Sequence, residues 1–185
     1  MISALNAGIS SEATGILIYM IVAFLLNLVF LSYGRSPGNY VFNLIVMNFD
    51  PNNPIVKLCA EGMALEGKPE EASRLFMQAW KEATNDSEKF IAAHYLARHQ
   101  KSVEDKLKWD ETALNLALNM NDDAAHAAYP SLYLNIAKCY EDLGNIEQAR
   151  ENYHLALSFA DKLPDDGYGK IIRGGIASGI DRLKS

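Results

Sequence analysis

A short pattern returns three times along this chain at a nearly constant interval. It reads Phe76-x-x-Ala79-Trp80, then Leu114-x-x-Ala117-Leu118, then Tyr153-x-x-Ala156-Leu157, with steps of 38 and 39 residues. A large residue followed three positions later by alanine fits one face of a helix. A fixed period in this range signals repeated helical units that bury their apolar faces by stacking on one another. Such an architecture points away from chemistry and toward a surface that holds another molecule.

The pattern extends upstream. Ala72 and Ala149 lie four residues before Phe76 and Tyr153, and Ala60 and Ala137 lie sixteen before them. Gly67 and Gly144 fall at the turns between. Small residues suit places where two helix axes approach closely. The middle unit departs from this scheme: Asp110 stands where the other units have Ala72 and Ala149, and Arg98 where they have Ala60 and Ala137. Either its register slips or that pair of helices packs more loosely.

These residues resemble the tetratricopeptide repeat family. The third unit carries the likeness best, through Tyr133, Ile136, Ala137, Tyr140, Leu143, Gly144, Ala149, Tyr153, Ala156 and Leu157, with Pro164 closing it. The first unit matches at Ala60, Gly67, Ala72, Phe76 and Ala79, the second mainly at Leu114 and Ala117. The family period is ~34 residues, so these units are about one helical turn longer. The resemblance implies an all-α fold: about three tandem helix pairs in an α-solenoid with a C-terminal capping helix, preceded by an apolar N-terminal helix.

Helix boundaries are legible independently. Pro54 and Pro69 suit first helical positions, and Glu70 and Glu71 complement a positive helix end. Ser102 with Asp105, and Asn145 with Gln148, have capping-box spacing. Asp86 or Ser87 caps the helix carrying Phe90, His94 and Leu96. Pro130 either starts a helix or kinks one begun near Asp123. Asp166 to Lys184 reads as a final helix with Ile171, Ile172, Ile176, Ile180 and Leu183 on one face. Seven helices and no strand are expected after residue 53.

Residues 1–46 form a leader of different composition, followed by the repeat domain, 47–185. No charged residue occurs from Ala13 to Gly34, and twelve of the residues from Ile16 to Tyr33 are Ile, Leu, Val or Phe. That length suits a single membrane-spanning helix over residues 15–33. Arg35 after the span favours a cytoplasmic repeat domain. A second reading makes the leader an extension upstream of a true start at Met47.

Glu12 and Arg35 are the only charges in the leader, so the net charge of −6 belongs to the repeat domain. An acidic domain without a basic stripe argues against a nucleic-acid partner. Cys59 and Cys139 read as buried, reduced thiols. His94 and His99 are five apart and do not share a helix face as zinc ligands would. Gly167-Tyr168-Gly169 reads as a turn into the last helix, and Gly175-x-x-x-Gly179 as a thin face against its neighbour. No cofactor, metal or catalytic constellation is expected.

In the family that the repeats resemble, the first helices of successive pairs line a concave groove that grips a peptide or partner helix. Carried over, this places Lys57 and Glu61 in the groove from the first unit, Tyr95 and His99 from the second with Arg98 beside them, and Asn135, Lys138 and Glu141 from the third. The expected function is a protein-interaction adaptor or scaffold. Two alternatives stand beside it. An rRNA adenine methyltransferase would need a strand, a glycine-rich turn and a helix in succession, and no such run is found. A self-associating structural protein would use the repeats to form homo-oligomers.

Overall fold

The computed structural model describes residues 50, 52–65, 67–120 and 122–184. The stretch 15–33 and Met47 lie outside them. Among the described residues there are seven α-helices, one short 3₁₀ turn at Ala160–Lys162, and no strand. The helices are α1 (Pro54–Ala64), α2 (Pro69–Glu82), α3 (Asp86–Arg98), α4 (Val103–Met120), α5 (Asp123–Asp142), α6 (Ile146–Ser158) and α7 (Gly167–Arg182). No described helix is long and apolar enough to cross a membrane.

Local sequence explains most boundaries. Pro54 and Pro69 open α1 and α2, where a missing N–H leaves no bond unmade. Asn53 caps α1 by accepting from the amides of Ile55 and Val56. Ser102 accepts from the Asp105 amide at 3.0 Å, as its spacing predicts. Two expectations need correction. The cap of α3 is Asn85, which accepts from the Glu88 amide, rather than Asp86 or Ser87. Asn145 makes no side-chain cap for α6. Pro130 lies inside α5, which runs unbroken from Asp123.

Connections of two to four residues fold each helix up to α6 back onto its predecessor. Every helix packs on the next, and α1 also meets α3 and α5 also meets α7. The recurring pattern occupies equivalent places in α2, α4 and α6. Phe76, Leu114 and Tyr153 are buried, as are Ala79, Ala117 and Ala156. The residue after the alanine faces outward in the second and third units, where Leu118 and Leu157 are 44% and 51% exposed, whereas Trp80 of the first is half-buried against the core.

Close approaches depend on missing side-chain atoms. A Cβ on Gly62 would stand 2.6 Å from the Phe76 ring. It is therefore Gly62 of α1 that approaches α2 most closely, while Ala60 is only half-buried. Gly179 of α7 lies against Tyr153, and Gly175 against Leu134, so the thin face touches α6 and α5 in turn. On α7 the buried face is Tyr168, Gly169, Ile172, Ile176 and Gly179. Ile171, expected on that face, is 43% exposed and points to solvent.

The middle unit is displaced by one turn. The helices α2 and α6 begin seven residues before Phe76 and Tyr153, whereas α4 begins eleven before Leu114. The extra turn of α4 moves the end of α3 four residues earlier, so His94, not Arg98, takes the place of Ala60 and Ala137. Looser packing is ruled out at the other anomaly, because Asp110 is fully buried.

The two turn glycines are not equivalent. Gly144 has φ +76°. Its amide donates to the Glu141 carbonyl while the Asn145 amide donates to Tyr140, the paired bonds of a Schellman ending. Gly67 has no such φ and open space around it. Gly144→Ala should therefore lose about 1 kcal/mol, while Gly67→Ala should be neutral or stabilising. Urea unfolding of the two variants beside the parent protein checks this, and equal losses would contradict it.

Candidate functional site

The residues expected to line a groove have different fates. Lys57 and Glu61 are exposed, one turn apart on α1. Tyr95 is only 1% exposed, and its ring stacks on Phe76 at 5.1 Å, so it belongs to the core. His99 closes α3 and tilts against the same Phe76 ring at 5.0 Å. Arg98 is exposed beside it. Lys138 pairs with Asp142, and Asn135 helps to hold the charge of Asp110.

Glu141 is bound into a clamp. It accepts from Arg182 at 2.7 and 2.8 Å and from the Tyr153 hydroxyl at 2.5 Å. This ties α7 to both α5 and α6. The Arg182 guanidinium and Tyr153 hydroxyl hold the Glu141 carboxyl down at about 2, despite partial burial.

Two of the flagged residues do meet in one place. An open cleft of about 560 Å³ lies between the start of α2 and the end of α3. Pro69, Glu70, Ser73 and Arg74 form one side, and Arg98, His99, Gln100 and Lys101 the other. Lys101 and Glu70 approach to 3.9 Å across it, both well exposed. Such a pair adds little stability and leaves the cleft polar and adaptable.

The feature that the sequence underplayed is an interior polar knot where α3, α4 and α5 meet. Its signal was present, as an aspartate at a small-residue position with a lysine one turn before it. Lys106 Nζ donates to Asp110 Oδ2 at 2.5 Å and to Cys139 Sγ at 3.5 Å. The Cys139 thiol donates to the same carboxylate oxygen at 3.8 Å. Asp110 Oδ1 has no hydrogen-bond partner of good geometry, although Asn135 is near enough to favour the charge. Burial raises the Asp110 carboxyl, and Lys106 opposes that rise. Burial works against the Lys106 charge as well, but Asp110 more than offsets it, and the ammonium ends above its usual range.

His94 is buried with both ring nitrogens unpartnered. Burial, aided by the charges of Arg98 and Lys106, pushes it down from 6.5 to about 3. Cys59 and Cys139 are free thiols. Burial raises Cys59 to about 12, and it raises Cys139 as well, there opposed by the charge of Lys106. Among the described residues no group of histidine, cysteine and carboxylate side chains is placed to hold a metal. No known protein family, curated protein or solved structure matches the chain.

Two outcomes follow from the knot. The folded state excludes the protonated form of His94, so the stability that its neutral ring contributes is whole above pH 6.5 and is lost as pH falls toward 3. At its steepest this loss is about 1.4 kcal/mol per pH unit. Glu141 adds its own loss only below pH 4.5. His94→Leu should flatten stability between pH 6.5 and 4.5 and leave the limb below; chemical denaturation across that range measures it.

The Asp110 position gives the second. Asp110→Ala strands a largely buried ammonium and should cost about 2–3 kcal/mol, at the low end for a broken pair because Lys106 retains some access to solvent. Replacing both partners, Lys106→Met with Asp110→Ala, should recover most of that loss. A stabilised single variant would refute the ion-pair account.

Proposed function

We propose that this chain is a non-enzymatic helical-repeat adaptor of the tetratricopeptide type, which binds a peptide or partner protein on the surface left open by its stacked helix pairs. What supports this reading is the recurrence of the same buried places in α2, α4 and α6. Phe76 with Ala79, Leu114 with Ala117 and Tyr153 with Ala156 are buried at matching positions. Units that bury one face against their neighbours present the other to a ligand. Lys57 and Glu61, exposed and one turn apart on α1, are the groove positions best suited to contact it. The outward Leu118 and Leu157 are large apolar side chains and favour self-association as the competing reading.

Cross-linking of the full chain in its own cells, followed by mass spectrometry, tests the adaptor reading. Lys57→Glu with Glu61→Lys should reduce recovery of a defined partner about tenfold (~1.4 kcal/mol), while Lys170→Glu on exposed α7 should not. Recovery indifferent to the α1 pair, or a stable dimer by light scattering that Leu118→Asp dissolves, would favour self-assembly instead. Tight binding of a methyl donor by the purified chain would reinstate the enzymatic alternative.

A further inference from the structure

Where α4 crosses α5, an amine, a thiol and a carboxyl group converge. Lys106 Nζ is 3.5 Å from Cys139 Sγ and 2.5 Å from Asp110 Oδ2, and Oδ2 is 3.8 Å from the same sulfur. Cys139 and Asp110 are buried, while the Lys106 side chain is 33% exposed, so one end of the cluster reaches solvent. Asp110 Oδ1 is buried with no hydrogen-bond partner and is the natural place for an added proton. We propose that this cluster is a site of oxidative modification, at which hydrogen peroxide converts the Lys106–Cys139 contact into a covalent nitrogen–sulfur bond.

The chemistry closes within the cluster. Peroxide transfers one oxygen to Cys139 Sγ; the sulfur loses two electrons, its thiol becomes a sulfenic acid, and the peroxide leaves as water. Lys106 then passes a proton to Asp110, and its neutral Nζ attacks the sulfenic sulfur. The nitrogen–sulfur bond forms as the sulfur–oxygen bond breaks. The departing hydroxide takes a second proton from Nζ and leaves as water. The product is a neutral sulfenamide beside a protonated Asp110. A partly buried ammonium and a fully buried carboxylate have both been discharged, which removes the cost of holding those charges away from water. That is the physical reason for the reaction to run on from the sulfenic acid to the cross-link. Burial raises the Cys139 thiol, so thiolate is scarce and the first step is slow.

Cys59 serves as an internal comparison. It is equally buried, and no lysine is in hydrogen-bond contact with it among the described residues. The full chain treated with millimolar hydrogen peroxide over hours should become about 2 Da lighter, with a tryptic peptide joining Lys106 to Cys139, and dithiothreitol should reverse both changes. The link ties residues 33 apart in sequence, so the thermal midpoint should rise by a few degrees. Cys139→Ala keeps the Lys106–Asp110 pair and should give no link. Lys106→Arg keeps the charge without the amine, and should leave Cys139 carrying added oxygen. The proposal is overturned if peroxide leaves Cys139 unmodified or oxygenated with no bond to Lys106. It is equally overturned if peptide mapping assigns the 2 Da loss to a Cys59–Cys139 disulfide.

Discussion

The burial of α3 governs this fold. From Phe90 to Ala97 every residue is buried, without the polar stripe of a surface helix. Such a helix must be covered on all sides, and α1, α2 and α4 all pack on it. Alanines at 92, 93 and 97 let those neighbours come close, and Phe90, Ile91, Tyr95 and Leu96 fill the space between. Tyr95 stacks on Phe76 of α2, and the edge-to-face pair of Trp80 and Trp109 joins α2 to α4 nearby. The first half of the described chain is built around this one helix.

The same constraint creates the polar interior. A one-turn extension of α4 shifts its register on α3, which brings His94 to a place that small residues occupy in the flanking units. With no partner on either nitrogen, the imidazole is held neutral by burial. Asp110 also stands in a small-residue place, but it brings Lys106 with it one turn before. The two anomalies therefore differ in kind: one polar ring is stored uncharged, and one charge is stored with its counterion. The second is the more consequential, because it places an amine against a thiol.

The other end of the chain is held differently. There α7 closes on α5 and α6 through Gly175 and Gly179, whose bare backbones admit Leu134 and Tyr153. Arg182 then reaches Glu141 and the Tyr153 hydroxyl. An apolar close approach and a charged clamp act on the same tyrosine. Glu141, read from the sequence as a groove residue, is consumed by this closure; the carboxylate was visible, but its partner 41 residues away was not.

What the sequence determined by itself is what depends on near neighbours. Proline positions, cap spacings and the recurrence of Phe76, Leu114 and Tyr153 gave the helices and their buried faces, because helix periodicity and capping act within a few residues. The all-α class and the number of helices after residue 53 followed from these. Tertiary structure decided what depends on register between helices. It chose Gly62 over Ala60 as the contact on α1, distinguished Gly144 from Gly67, and slid the middle unit by one turn. It buried Tyr95 and assembled Lys106, Asp110 and Cys139. The physical reason is that a helix sequence specifies which residues share a face, but not which residue of a facing helix they meet. That choice is made by packing across 30 to 40 residues of chain, where a shift of one turn keeps every local preference satisfied and changes every partner.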